Sequence, residues 1–130
     1  MNVQPRLVLD YMDMAQMDAM GTKSFRRIRV ELWKELGLCM HQDDPMLGSQ
    51  STWVISHHIS GRRILKNIWD RKEAMDWLMK LRVVLSDWRL PHGTFMNMVG
   101  KEPIVEQVLS MQQEIDGGIN VHTATSETSQ

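Results

Sequence analysis

Between Gly61 and Trp88 the apolar residues Ile64, Ile68, Met75, Leu78, Leu81, Leu85 and Trp88 recur every three, four or seven positions. That period belongs to an amphipathic helix, whose apolar side must be covered by a second apolar surface. The stripe is the strongest periodic signal in the chain, and it sets the expectation of an all-α fold. Ser60 is placed to cap this helix, and Pro91 and Gly93 in "RLPHGT" to end it. Pro103 opens a last helix, 103–116, in which Ile104, Val108, Met111 and Ile115 share a face until Gly117 and Gly118. Helices 61–88 and 103–116 are predicted to lie antiparallel with their stripes facing.

The N-terminal part reads as shorter helical pieces. In "RLVLDYMDMAQMDAM", residues 6–20, Leu9, Met12, Met17 and Met20 fall at near-helical intervals, and Gly21 stops the segment. Thr22 or Ser24 can cap a second helix, from about Phe25 to Cys39. "HQDDPMLGSQST" reads as a loop, since Pro45 disfavours helix at Asp44 and Gly48 prolongs the break. "WVISHHIS" is β-branched and aromatic enough for a short strand but lacks an evident mate, so it reads as extended or as a helical lead-in. Three parts follow: leucine/methionine-rich segments at 1–59, a helical hairpin at 60–118 and a polar, disordered tail at 119–130.

The formal net charge of −1 gives the whole chain no pull toward nucleic acid or acidic lipid. One cysteine, Cys39, excludes an intrachain disulfide and suits a reducing compartment. There is no secretory signal pattern, and no run approaches the roughly 20 apolar residues that a membrane-spanning helix needs. A soluble protein of cytoplasm and nucleus is expected. Twelve Met and five Trp against one Tyr and two Phe suit either adaptable binding surfaces or a coding constraint.

Cys39, His41, Asp43, Asp44, His57 and His58 cluster in sequence, but Cys-x-His and adjacent His-His are not zinc spacings, so no metal and no cofactor is expected. Ser56 beside His57 lacks the G-x-S-x-G surroundings of a nucleophile elbow, and Cys39 has no cationic neighbour within two residues. A non-enzymatic protein is expected. Arg26, Arg27, Arg29, Arg62, Arg63 and Lys66 could contact phosphates, though Asp70, Glu73 and Asp76 interleave with the later cations as on a solvated helix face. Trp77, beside the Met75/Leu78 stripe, either completes the core or marks an interface.

Within "RRIRVELWKELGL", Ile28, Leu32, Leu36 and Leu38 have the spacing of a leucine-rich nuclear export signal, in which apolar side chains of one short helix fill a receptor's pockets. The order of pieces resembles the nuclear export protein of influenza-type viruses. "LDYMDMAQM" and "IRVELWKELGL" resemble its two leucine-rich segments, and "GRRILKNIWDRKEAMDWLMKLRVVL" its first hairpin helix, with Trp77 in the docking position. "TFMNMVGKEPIVEQVLSMQQEI" resembles the second hairpin helix. The chain departs from the family at Lys80 and Arg82 beside Trp77, and at Gly100 and Pro103. The resemblance implies an adaptor of viral type that bridges an export receptor and a viral structural protein. Its partner-binding residues would be Leu9, Met12, Met17, Ile28, Leu32, Leu36, Leu38 and Trp77. An RNA-binding accessory protein using the basic residues, or a self-associating helical protein, stands as the alternative.

Overall fold

The computed structural model describes residues 5–43, 50–89 and 104–128, with side chains described except at 15–17 and 118–128. Strands β1 (Leu7–Met17), β2 (Lys23–Trp33), β3 (Leu38–Gln42), β4 (Trp53–His57) and β5 (Arg62–Ile68) form one antiparallel sheet in that order. Helices α1 (Arg71–Val84) and α2 (Ile104–Thr128) follow. The all-α expectation is overturned, and with it the helical hairpin that the viral resemblance implied.

Two segments explain the difference. In Arg27–Leu32 the charged Arg27, Arg29 and Glu31 alternate with Ile28, Val30 and Leu32. That is the two-residue period of a strand with one face buried. Ile28, Leu32 and Leu36 taken alone are four apart, a spacing shared by both periods, and Val30 decides between them. In β5, Leu65 and Ile68 are both buried against the helices although three apart. Register shifts against β4 insert extra residues there, and Asn67 adopts φ 62°. A bulge of this kind gives a strand a helix-like step.

Local chemistry sets the remaining boundaries. The Asp18 carboxylate accepts the N–H groups of Met20 and Thr22, each at 2.9 Å, closing the β1–β2 turn. Asp70, not Ser60, caps α1, its Oδ1 accepting the Glu73 N–H at 2.8 Å. Helix α2 runs through Gly117 and Gly118 to Thr128, so the tail expected to be disordered is helical to that point. Two glycines there cost about 1 kcal/mol each relative to Ala and do not stop the helix.

The middle of the sheet, at β3 and β4, is buried on both faces. On one side Leu38, Met40, Ile55, Leu65 and Ile68 pack against Leu78, Leu81, Trp88 and Ile115. Helix α2 lies along β5 more than along α1. On the other side Met12, Met14, Ile28, Val30, Leu32 and Cys39 form a second cluster. The long β1–β2 hairpin curls back over the far strands to close it. Met12 Sδ lies 3.5 Å from Cys39 Sγ, Arg63 Nη2 lies 3.7 Å from Met14 Sδ, and His58 Nε2 donates to the Tyr11 carbonyl at 3.1 Å. Gly61, at φ +72°, makes the approach possible: a Cβ there would run into the Asp13 carbonyl oxygen.

Trp88 ties the segment after α1 to the sheet. Its N–H donates to Leu36 O at 2.7 Å and its indole to Leu81 O at 3.3 Å. Its carbonyl accepts His57 Nε2 at 2.8 Å, while His57 Nδ1 accepts from the Ser60 hydroxyl at 2.7 Å. Leu36 and Leu38 lie under this strap, 1% and 0% exposed. Leu36→Ala and Leu38→Ala are each expected to lower the unfolding free energy by about 2–5 kcal/mol, measured by urea denaturation.

Candidate functional site

Strand β2 outruns β3. The two pair at Trp33–Leu38, Leu32–Cys39 and Glu31–Met40, and beyond Glu31 β2 keeps β1 on one side but no described strand on the other. The sheet therefore forks. A cleft of about 420 Å³ fills the fork, walled by Arg26–Glu31 of β2, by Met40, His41 and Gln42 of β3, and by Trp53 and Leu9.

The fork is cationic. Arg26, Arg27 and Arg29 are exposed, and among the described residues no carboxylate forms an ion pair with any of them. Glu31 is the acidic residue of the wall, and it is already held in a two-toothed pair by Arg71, with Nη2–Oε1 at 2.6 Å and Nε–Oε2 at 3.0 Å. Strand alternation sends Arg27 and Arg29 to the face that carries the helices, and Arg26 to the other.

The helices cover that face only at its lower end, around Leu7 and Trp33. Further out no described part of the helices covers it. Leu9 (67% exposed), Tyr11 and Phe25 (70%) stand there beside Arg27 and Arg29, and the Arg27 guanidinium sits 5.1 Å from the Tyr11 ring centre.

The expected site residues are dispersed. Ile28, Leu32, Leu36 and Leu38 are buried, the first two in the curled hairpin and the last two under the helices. Met12 is buried beside Cys39, Leu9 is exposed, and Met17 ends β1 opposite Lys23 with its side chain outside the described residues. Trp77 is half-buried on α1, with Lys80 Nζ 4.0 Å over its ring. Of the six basic residues, the structure groups Arg26, Arg27 and Arg29. Arg62, Arg63 and Lys66 lie on β5, where Arg63 pairs with Asp43 at 2.9 Å. Sequence reasoning missed Tyr11, Phe25 and the open side of β2. The cationic–apolar alternation of 27–32 was the available signal.

Most of the residues weighed for metal or catalysis make internal contacts. Burial pushes the Cys39 thiol up to about 12, which keeps it protonated and inert. His41 Nδ1 donates to Gln42 O at 3.0 Å and Nε2 accepts from Ser56 Oγ at 2.9 Å, the pattern of a neutral imidazole. His58 lies 3.7 Å from Asp10. Asp44 lies outside the described residues. Among the described residues no group of three or more His, Cys, Asp or Glu is placed to hold a metal, and no helix is long and apolar enough to cross a membrane.

Burial, helped by the charge of Arg63, holds the His41 pKa below its ordinary 6.5. The unfolded chain therefore binds this proton first as pH falls. The contribution of this site is fully present well above pH 6.5, the unfolded value, and is expected to be lost as pH falls below it. Urea unfolding at neutral and mildly acidic pH is expected to show the decline, and His41→Gln to reduce its slope.

No protein-family model matches this chain, and no curated protein or solved structure matches it either.

Proposed function

We propose that the protein is a non-enzymatic adaptor that holds a protein partner on the outer face of the β1–β2 hairpin and in the adjoining fork. One observation carries this reading: Arg27 and Arg29, which form no ion pair among the described residues, stand at an unpaired strand edge on the face that exposes Leu9, Tyr11 and Phe25, with Arg26 on the other face of the same edge. Arginine and aromatic side chains supply most of the binding energy at protein interfaces. The mechanism is bridging or sequestration, with no bond made or broken. A single unpaired cysteine fits action in the reducing cytoplasm and nucleus.

A helical export signal at Ile28, Leu32, Leu36 and Leu38 forms no part of this proposal, because a receptor could reach those side chains only by unfolding the sheet. RNA binding is the second reading, favoured by the same arginines and aromatics. Against it, the open backbone edge of Arg26–Val30 offers a row of donors and acceptors spaced for a strand, which a nucleic acid has no ladder to match.

A photo-cross-linking residue in place of Phe25, tested in cells with the full chain, separates the two. Adducts degraded by protease and lost on joint Arg27→Glu and Arg29→Glu substitution are expected. The same residue in place of Val83, exposed on α1, is expected to give none of these adducts. Adducts degraded by ribonuclease, or adducts indifferent to the charge reversal, would overturn the reading.

A further inference from the structure

We propose that the fork accepts a short acidic polypeptide segment as an added strand. Its backbone would pair with the open side of Arg26–Val30, and its alternate carboxylates would be held by Arg27 and Arg29. The inference rests on the protein-binding reading above and names the chemistry of the partner.

The first ground is the way the other sheet edges are closed. An unpaired strand edge invites further strands, and folded proteins usually block it. Both outer edges here are blocked over part of their length. The β4–β5 turn covers β1, where His58 donates to the Tyr11 carbonyl and Gly61 presses on Asp13. On β5, the Gln112 side-chain amide satisfies both backbone groups of Lys66: Oε1 accepts its N–H at 2.9 Å and Nε2 donates to its carbonyl at 2.8 Å. The bulge at Asn67 bends the rest of that edge away. Against this pattern the inner edge of β2, over Arg26–Val30, has no described strand beside it. At about 3.4 Å per residue that stretch is roughly 17 Å long, enough for a five-residue strand.

The second ground is charge. Arg27 and Arg29 are two residues apart on one face, so they meet residues i and i+2 of an added strand. Among the described residues neither forms an ion pair, although Asp13 stands opposite Arg27 in β1, and Glu31 at the base of the fork is committed to Arg71. The residue between the two acids would face the side of Ile28 and Val30, both nearly buried. The favoured pattern is therefore acidic, apolar, acidic. A row of backbone donors and acceptors spaced for a strand also selects a polypeptide over a nucleic acid, which presents no matching ladder.

The test uses the full chain and a fluorescein-labelled peptide of alternating Glu and Val, followed by anisotropy and by amide shifts across Arg26–Val30. In a strand added at an edge, alternate amides face the protein and the rest face solvent. N-methylation of one alternate set is expected to abolish binding, and methylation of the other set to leave it intact. A Lys-for-Glu peptide is expected not to bind, and Arg27→Glu with Arg29→Glu to weaken the Glu peptide by at least about tenfold, the loss of one charge-assisted contact or more. An unchanged urea melt shows that the variant is folded. Equal binding of the two methylated peptides, preference for an oligouridylate of the same length, or no binding at any soluble peptide concentration would each overturn the proposal. Should the peptide fail while protease-sensitive adducts still form at position 25, strand addition is wrong and the adaptor reading stands.

Discussion

Strands β3 and β4 are buried on both faces, and the rest of the molecule is arranged to keep both dry. In Leu38–His41 every residue is buried, and so is every residue of Val54–His57. Burial on two sides requires two covers. The helices supply one. The chain has no second helical layer among the described residues, so the β1–β2 hairpin is long enough to fold back and supply the other. The polar groups trapped between the covers are paired internally: His41 with Ser56, and His57 with Ser60 and the Trp88 carbonyl. Each pair avoids the cost of a buried unmatched donor or acceptor.

The hairpin's double duty produces the candidate site. To reach across the sheet, β2 must leave β3 after three residue pairs, and the departure opens the fork. The inner residues Ile28 and Val30 go into the second core, so the outward residues of the same strand are free to be charged. The cationic cleft and the second core are thus two faces of one alternating sequence.

That alternation is legible in the sequence itself. Arg27, Arg29 and Glu31 flank apolar residues at period two, but export-signal spacing uses Ile28, Leu32 and Leu36 and skips Val30, the residue that distinguishes strand from helix. The stripe at Ile64 and Ile68 misled for a different reason. A bulge in β5 gives its apolar residues an irregular step, and nothing local marks an extra residue in a strand. By contrast, α1 was legible because Leu78 and Leu81 lie on an uninterrupted helical face behind the Asp70 cap. The basic residues Arg26, Arg27 and Arg29 were visible as candidates. Their separation from Arg62, Arg63 and Lys66 depends on pairing across the sheet, which no local pattern carries.

The amide of Gln112 imitates one peptide unit, offering Lys66 both the hydrogen and the oxygen that a neighbouring strand would offer. This gives the side chain an unusual sensitivity to slow covalent ageing. Deamidation to glutamate would keep an oxygen for the Lys66 N–H but replace the donor with a second anionic oxygen, set against the Lys66 carbonyl. The margin of the sheet would then come unsealed in old molecules before the interior changed. The seal on this margin thus rests on a single nitrogen atom, while the interior of the sheet does not depend on it.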